Sequence, residues 1–196
     1  DIHFSNDPAT AVAATADDSA AKAQMAAQAT ATSPELVALL SERNPLVRLN
    51  AADAFTRIKD PAAVDALATV SMSMDSSAAE RALHALAFQG TDTATAAIRR
   101  TVRMALSGHS RAVAALLLAE GKDPKTAGDL ATMLAHRDWQ TRLAGVRALG
   151  KLPNREAAII RLAFLAQENP EIKLAVTEGI DPNDEPQVRR LLWSVV

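Results

Sequence analysis

The chain has 196 residues and a formal net charge of −2, so the molecule as a whole is no electrostatic magnet for nucleic acid. Hydrophobic residues make up 48 %, aromatics only 3 %, and tyrosine and cysteine are absent; the alanine-rich composition favours helix over strand, and without cysteine there is no disulfide, thiolate metal site or cysteine nucleophile. No run approaches the roughly 20 apolar residues of a membrane span, the best being AVAALLLA at 112–119.

Residues 1–17 read as a flexible N-terminal tether with one short helix opening at Asp7-Pro8. The chain opens on Asp1 instead of methionine. That start leaves room for a removed leader or anchor, so exported and cytoplasmic settings stand as equal expectations. Residues 1–42 carry a charge balance of −5 and the remainder +3. Between 18 and 42, the alanine-rich DSAAKAQMAAQA and the helix opener Ser33-Pro34-Glu35 read as a degenerate repeat that caps the array.

The regular pattern then begins. Residues 47–55 (VRLNAADAF) and 60–67 (DPAAVDAL) predict two short helices, with Ala51, Ala52, Phe55 and Ile58 on one stripe and Val64, Leu67 and Val70 on the other. The same pair recurs as AAERALHAL and DTATAAI, as SRAVAALLL and DPKTAGDL, as TRLAGVRAL and NREAAIIRL, and as IKLAVTEGI and QVRRLL. Phe55, Leu86, Leu118, Leu149 and Ile180 share one register, at spacings of 31, 32, 31 and 31 residues. Leu67, Ile98, Leu130, Leu162 and Leu191 share the second. Asn44-Pro45, Asp60-Pro61, Asp123-Pro124 and Asn169-Pro170 pair a capping side chain with a proline suited to the first helical position. Gly90, Gly121 and Gly150 fall where first helices end, as left-handed caps would. A short helix pair cannot bury its own stripe, so neighbours must stack into one core. The expected fold is an all-α, right-handed α-solenoid of about five to six two-helix repeats, near 18–42, 44–72, 75–105, 107–135, 137–167 and 168–196, forming one domain over 18–196.

The pattern VRxxAAxAFxxIxDPAAVxAL resembles the HEAT-like repeat of phycobilisome lyases and many bacterial scaffolds, most closely in the first and fourth units. The resemblance implies a structural role for the basic column Arg48, Arg111, Arg142 and Lys173: a cation that bridges inter-repeat turns through carbonyls or an acidic group. It also implies that first helices form the outer layer and second helices the concave, binding face.

No catalytic constellation emerges. His3, His84, His109 and His136 have no metal-ligand spacing; SGHS at 107–110 reads as a turn and not a triad; Trp139 reads as cover for an inter-repeat seam. The chain is therefore expected not to be an enzyme and to need no cofactor. On the second helices one column runs Thr69, Arg100, Thr132, Phe164, Trp193, and its neighbour runs Asp65, Ala96, Gly128, Ile160, Arg189. Both grow larger toward the C-terminus, in residue types favoured at binding hot spots. Arg99, Arg100 and Arg103 add a basic cluster able to receive an acidic peptide or phosphate. The candidate contact residues are Arg100, Arg103, Ile160, Phe164, Arg189 and Trp193, with core-plugging as the competing role of Phe164 and Trp193. The expected function is a non-catalytic scaffold for a protein or peptide. Two alternatives are implied by the repeat family: assistance to chromophore attachment, and nucleic-acid binding, which the charge balance disfavours.

Overall fold

The computed structural model of the chain describes residues 8–121, 123, 125–153, 155–164 and 169–178, and only the backbone path of 8–17. Among the described residues the fold is all-α, of the α-solenoid class, with no strand. The helices are α1 (Pro8–Gln28), α2 (Pro34–Leu39), α3 (Pro45–Ala54), α4 (Val64–Ser71), α5 (Ser76–Gln89), α6 (Asp92–Met104), α7 (Gly108–Glu120), α8 (Thr126–Leu134), α9 (Trp139–Gly150), α10 (Arg155–Leu162) and α11 (Pro170–Thr177). They group into two compact units, Asp1–Thr91 and Asp92–Val196.

Local chemistry sets the helix starts. Asn44 accepts from the Leu46 amide at 2.9 Å, and Asn169 from the Glu171 amide at 2.9 Å. Asp75, Ser107 and Asp138 cap α5, α7 and α9 in the same way without a following proline. Asp60 caps a 3-10 turn, Pro61–Ala63, that leads into α4. Asp123 accepts from the Lys125 amide at 2.9 Å and so shapes the turn before α8 without capping the helix itself.

Helix ends correct the glycine reading. Gly90 is left-handed, with φ of 67°, where a side chain would cost roughly 1 kcal/mol or more. Gly121 is right-handed, and Gly150 is the last residue of α9. At Gly150 a Cβ would lie 2.6 Å from Arg161 Nη1, so its small size makes room for a neighbouring guanidinium.

In the unit Asp1–Thr91, α1 packs on α3 and α3 on α5, while α4 packs chiefly on α5 across a tight turn. In the unit Asp92–Val196, α7, α9 and α11 form the matching layer of first helices; α6 packs on α7, and α8 on α9. The second helices α6, α8 and α10 lie side by side in that order. Within the described residues every register anchor is buried: Phe55, Leu86, Leu118 and Leu149 in one set, Leu67, Ile98, Leu130 and Leu162 in the other. Ile180 and Leu191 lie outside the described residues. Burying a side chain of this size contributes about 1.5–3 kcal/mol, which is why the period is so regular. Gly145 allows the close approach of α9 to α8, since a Cβ there would stand 2.9 Å from Met133 Cβ.

Three of the four members of the basic column do what the repeat resemblance implies; Lys173 makes no such bond among the described residues. Arg48 Nη1 donates to the carbonyls of Glu42 and Arg43, both at 2.8 Å, and its Nη2 meets Asp75 at 3.0 Å. Arg142 Nη1 donates to the carbonyls of His136 and Arg137, both at 2.9 Å. Arg111 Nε donates to the Ala105 carbonyl at 2.6 Å. Each arginine reaches the carbonyl six residues before it, so a cation ties the turns before α3, α7 and α9 to the helix that follows.

Candidate functional site

The exposed side of the second helices is where the register placed it. Asp65 and Thr69 are exposed on α4, Ala96 and Arg100 on α6, Gly128 and Thr132 on α8. On α10 the pattern shifts by one residue: Ile159 is 48 % exposed, whereas Ile160 and Phe164 are half-buried. The shift has a local cause. Arg161 is buried at 5 % exposure and donates through Nη1 to the Glu178 carbonyl at 2.9 Å, alongside Gly150. Arg161 thus occupies the inward position of α10, and Ile159 is the exposed one. The repeat register could not reveal this, because the equivalent position on α8 is Asp129. Arg189 and Trp193 lie outside the described residues.

The basic cluster on α6 divides into three different situations. Arg99, at 20 % side-chain exposure, pairs with Asp123 and lies 3.2 Å from Asp129. Arg103 lies 3.5 Å from the same Asp129. Arg100 is exposed and has no hydrogen bond or ion pair among the described residues. The Lys125 amide, followed by the Arg99 cation, holds the Asp123 carboxyl below the usual carboxylate range despite its partial desolvation. Spacing alone shows three equal arginines; the fold leaves one of them available.

Gly128 separates the two sides of this face. A Cβ added there would meet nothing within 4 Å, so packing does not explain a glycine inside a helix, which costs about 1 kcal/mol against alanine. Arg100 stands on α6 to one side of it, and Ile159, Ile160 and Phe164 on α10 to the other. Met104 and Leu106, 57 % and 81 % exposed, add apolar surface at the end of α6.

Other candidates resolve into structure. His84 and His109 are exposed, and His136 Nδ1 accepts from the Asp138 amide at 3.1 Å; His3 lies outside the described residues. Among the described residues no group of His, Asp and Glu has the arrangement of a metal site. Ser107 of the SGHS string caps α7. No helix among the described residues is long and apolar enough to cross a membrane. On the first-helix layer of the unit Asp1–Thr91 a polar cavity of about 400 Å³ is lined by Leu49, Asn50, Asp53, Ser77, Glu80 and Arg81. Asp53 there is shared between Arg57 at 2.6 Å and Arg81 at 3.6 Å.

Gln89 is a structural residue that the sequence pattern does not announce. It is 6 % exposed. Its Nε2 donates to the carbonyls of Ile58 at 2.9 Å and Phe55 at 3.3 Å, and its Oε1 accepts from the Asp60 amide at 2.8 Å. These partners lie about thirty residues away, in the connection between α3 and α4, and no local motif points to them.

No protein-family profile matches the chain, and no curated protein matches it. Among solved structures it is similar to human deoxyhypusine hydroxylase in complex with glycerol, at 18 % identity and a TM-score of 0.44, over 88 % of this chain and 79 % of that one. The expectation that the chain is not an enzyme is overturned here. The structure it resembles is that of an enzyme, and stacked helical repeats give no ground for excluding catalysis. A likeness at this level transfers neither an activity nor a substrate.

Proposed function

We propose that the chain is a helical-repeat binding module that holds a protein or peptide on its second-helix face, within the unit Asp92–Val196. One observation carries the reading: Arg100 is exposed and without a partner among the described residues, on the same layer as exposed Ile159 and half-buried Ile160 and Phe164. A cation beside apolar surface is the composition of an interface centre more than of a solvated helix face. By register, Arg189 and Trp193 continue the same columns and belong to the proposed surface. The arginine-to-carbonyl bonds before α3, α7 and α9 support a HEAT-like type for the repeats; nothing observed favours chromophore attachment.

The test is affinity capture with the wild-type chain and with a Phe164→Ala/Trp193→Ala double variant whose fold is verified by circular dichroism. Specific partners should be recovered by the first and lost from the second. Equal recovery by a folded double variant removes this face from the binding role.

A further inference from the structure

We infer that His136 makes the turn between α8 and α9 acid-sensitive: the neutral imidazole holds the turn closed, and protonation releases it. The inference concerns a conformational device in the fold and does not depend on the binding reading above.

The geometry is specific. His136 is half-buried, and its Nδ1 accepts from the Asp138 backbone amide, two residues on, at 3.1 Å. Only a neutral ring can do this, because an imidazolium carries hydrogen on both nitrogens and has no acceptor left. Protonation therefore sets one donor against another. Asp138 is the N-cap of α9, accepting from the Thr141 amide at 3.0 Å and from the Thr141 hydroxyl at 2.7 Å. The start of α7 lies against the same place, since a Cβ on Gly108 would stand 3.4 Å from Thr141 Oγ1 and 3.7 Å from Asp138 Oδ2. The bond thus fixes the residue at which α7 and α9 meet. Other repeats do not share it. At the equivalent position Ala105 has no side-chain acceptor, Ser73 Oγ has no partner among the described residues, and Glu42 pairs with Lys22. Histidine is also the side chain that ordinarily changes charge between about pH 5 and 8.

The neighbouring charges give the protonated ring somewhere to go. The Thr141 hydroxyl, foremost, holds the Asp138 carboxyl below its ordinary value, with the charge of His136 among the smaller causes, so an anion stands within electrostatic range of the ring. The imidazolium exchanges the amide for that carboxylate and competes with the cap on Thr141. Arg142 Nη1, on the His136 carbonyl at 2.9 Å, and exposed Arg137 oppose a second cation in the turn. Of the packed helices, α7 brings His109 and Arg111 in its first turn, and Arg111 holds the Ala105 carbonyl. The charged residue of α8, Asp129, is turned to Arg99 and Arg103. Arg161 of α10 is turned to the Glu178 carbonyl, and Glu171 and Lys173 of α11 are exposed.

The experiment follows the isotope-labelled full chain by NMR from about pH 7.5 to about pH 5. This window lies above the ordinary value of 3.8 for the Asp138 carboxyl, whose own titration is therefore not what is read. The Asp138 amide proton should move upfield with the same midpoint as the His136 ring signals. Its exchange with solvent, corrected for the chemical effect of pH, should quicken about two- to tenfold, the span of one neutral hydrogen bond. His136→Asn supplies an oxygen that accepts from the amide two residues on, as in an Asx-turn, and should keep the neutral-pH protection throughout. His136→Leu has no acceptor and should exchange at the acid rate at every pH, while His109→Asn should respond as wild type does. An Asp138 amide that stays unchanged while His136 titrates overturns the inference. So does a His136→Asn variant that still responds to acid, or a His109→Asn variant that does not.

Discussion

Replacing Gln89 by leucine keeps approximate volume and removes three hydrogen bonds at once. Two are short, to the Ile58 carbonyl at 2.9 Å and from the Asp60 amide at 2.8 Å; the third, to the Phe55 carbonyl, is longer at 3.3 Å. Phe55 and Ile58 are buried, with 0 % and 8 % exposure, so water does not readily replace the lost donor. A neutral hydrogen bond contributes about 0.5–1.5 kcal/mol, and a buried group left without a partner costs about 1–3 kcal/mol. Counting the two short bonds fully and the long one weakly, Gln89→Leu should destabilise the unit Asp1–Thr91 by roughly 2–4 kcal/mol. Urea unfolding followed by circular dichroism gives the midpoint shift. Hydrogen exchange at the Asp60 amide gives the local loss directly, because that proton loses its acceptor. Gln89→Glu sharpens the test. Its carboxylate would face two carbonyl oxygens in a buried site, so its folded pKa is raised above the unfolded value of about 4.3. That variant should be most stable below the unfolded pKa and lose stability as pH rises through the folded pKa. At neutral pH it should fall below Gln89→Leu. A Gln89→Leu protein within about 0.5 kcal/mol of wild type, with Asp60 exchange unchanged, would refute the role assigned to this clip.

Arg48→Met should cost about 1–3 kcal/mol in urea unfolding, since the guanidinium holds two turn carbonyls and Asp75 together. Arg48→Lys should recover only part of it, because an ammonium lacks the planar fork. In the buried register column Val47, Ala78, Ser110, Thr141, Ile172, the Ser110 hydroxyl has no partner among the described residues, whereas Thr141 Oγ1 donates to Asp138 at 2.7 Å. Ser110→Ala should therefore be neutral or stabilise by up to about 1 kcal/mol and Thr141→Val destabilise by about 1 kcal/mol; thermal melts of the two variants would show opposite shifts. The Thr141 hydroxyl, with the Thr141 and Gln140 amides, holds the Asp138 carboxyl below its ordinary value of 3.8. A depressed folded pKa gives stability that is present above the unfolded value and lost as pH falls through the folded one. Acid unfolding of the unit Asp92–Val196 should thus draw on Asp138 below about pH 4, and Asp138→Asn should flatten that part of the stability profile.

The architecture was legible because it rests on a requirement that each repeat states again. Phe55, Leu86, Leu118 and Leu149 all have to enter a shared core, so the same apolar positions return every 31 or 32 residues. The arginine column was legible for the same reason: its acceptors sit five and six residues away in the same turn. The candidate face was half legible. Its columns on α6 and α8 are exposed as the register implies, but on α10 Arg161 is buried and Ile159 is exposed while Ile160 and Phe164 are half-buried. A one-residue change in exposure of this kind depends on which neighbour a side chain reaches, and the repeat pattern does not encode it.

Three of the glycines make the division concrete. Composition and register placed Gly90, Gly145 and Gly128 on helices or at their ends. Only the packed structure gives each its reason: a left-handed turn at Gly90, contact with Met133 at Gly145, and open space at Gly128. Likewise Arg99, Arg100 and Arg103 are equivalent in sequence, and Asp123 and Asp129, arriving from another helix and its turn, distinguish them. The sequence by itself determined the helices, their caps and the stacking period, because those depend on interactions within a repeat or between identical positions of successive repeats. Which charge stays available, which glycine is a contact and which face is open were decided by tertiary structure, because each depends on atoms brought from distant, non-equivalent positions.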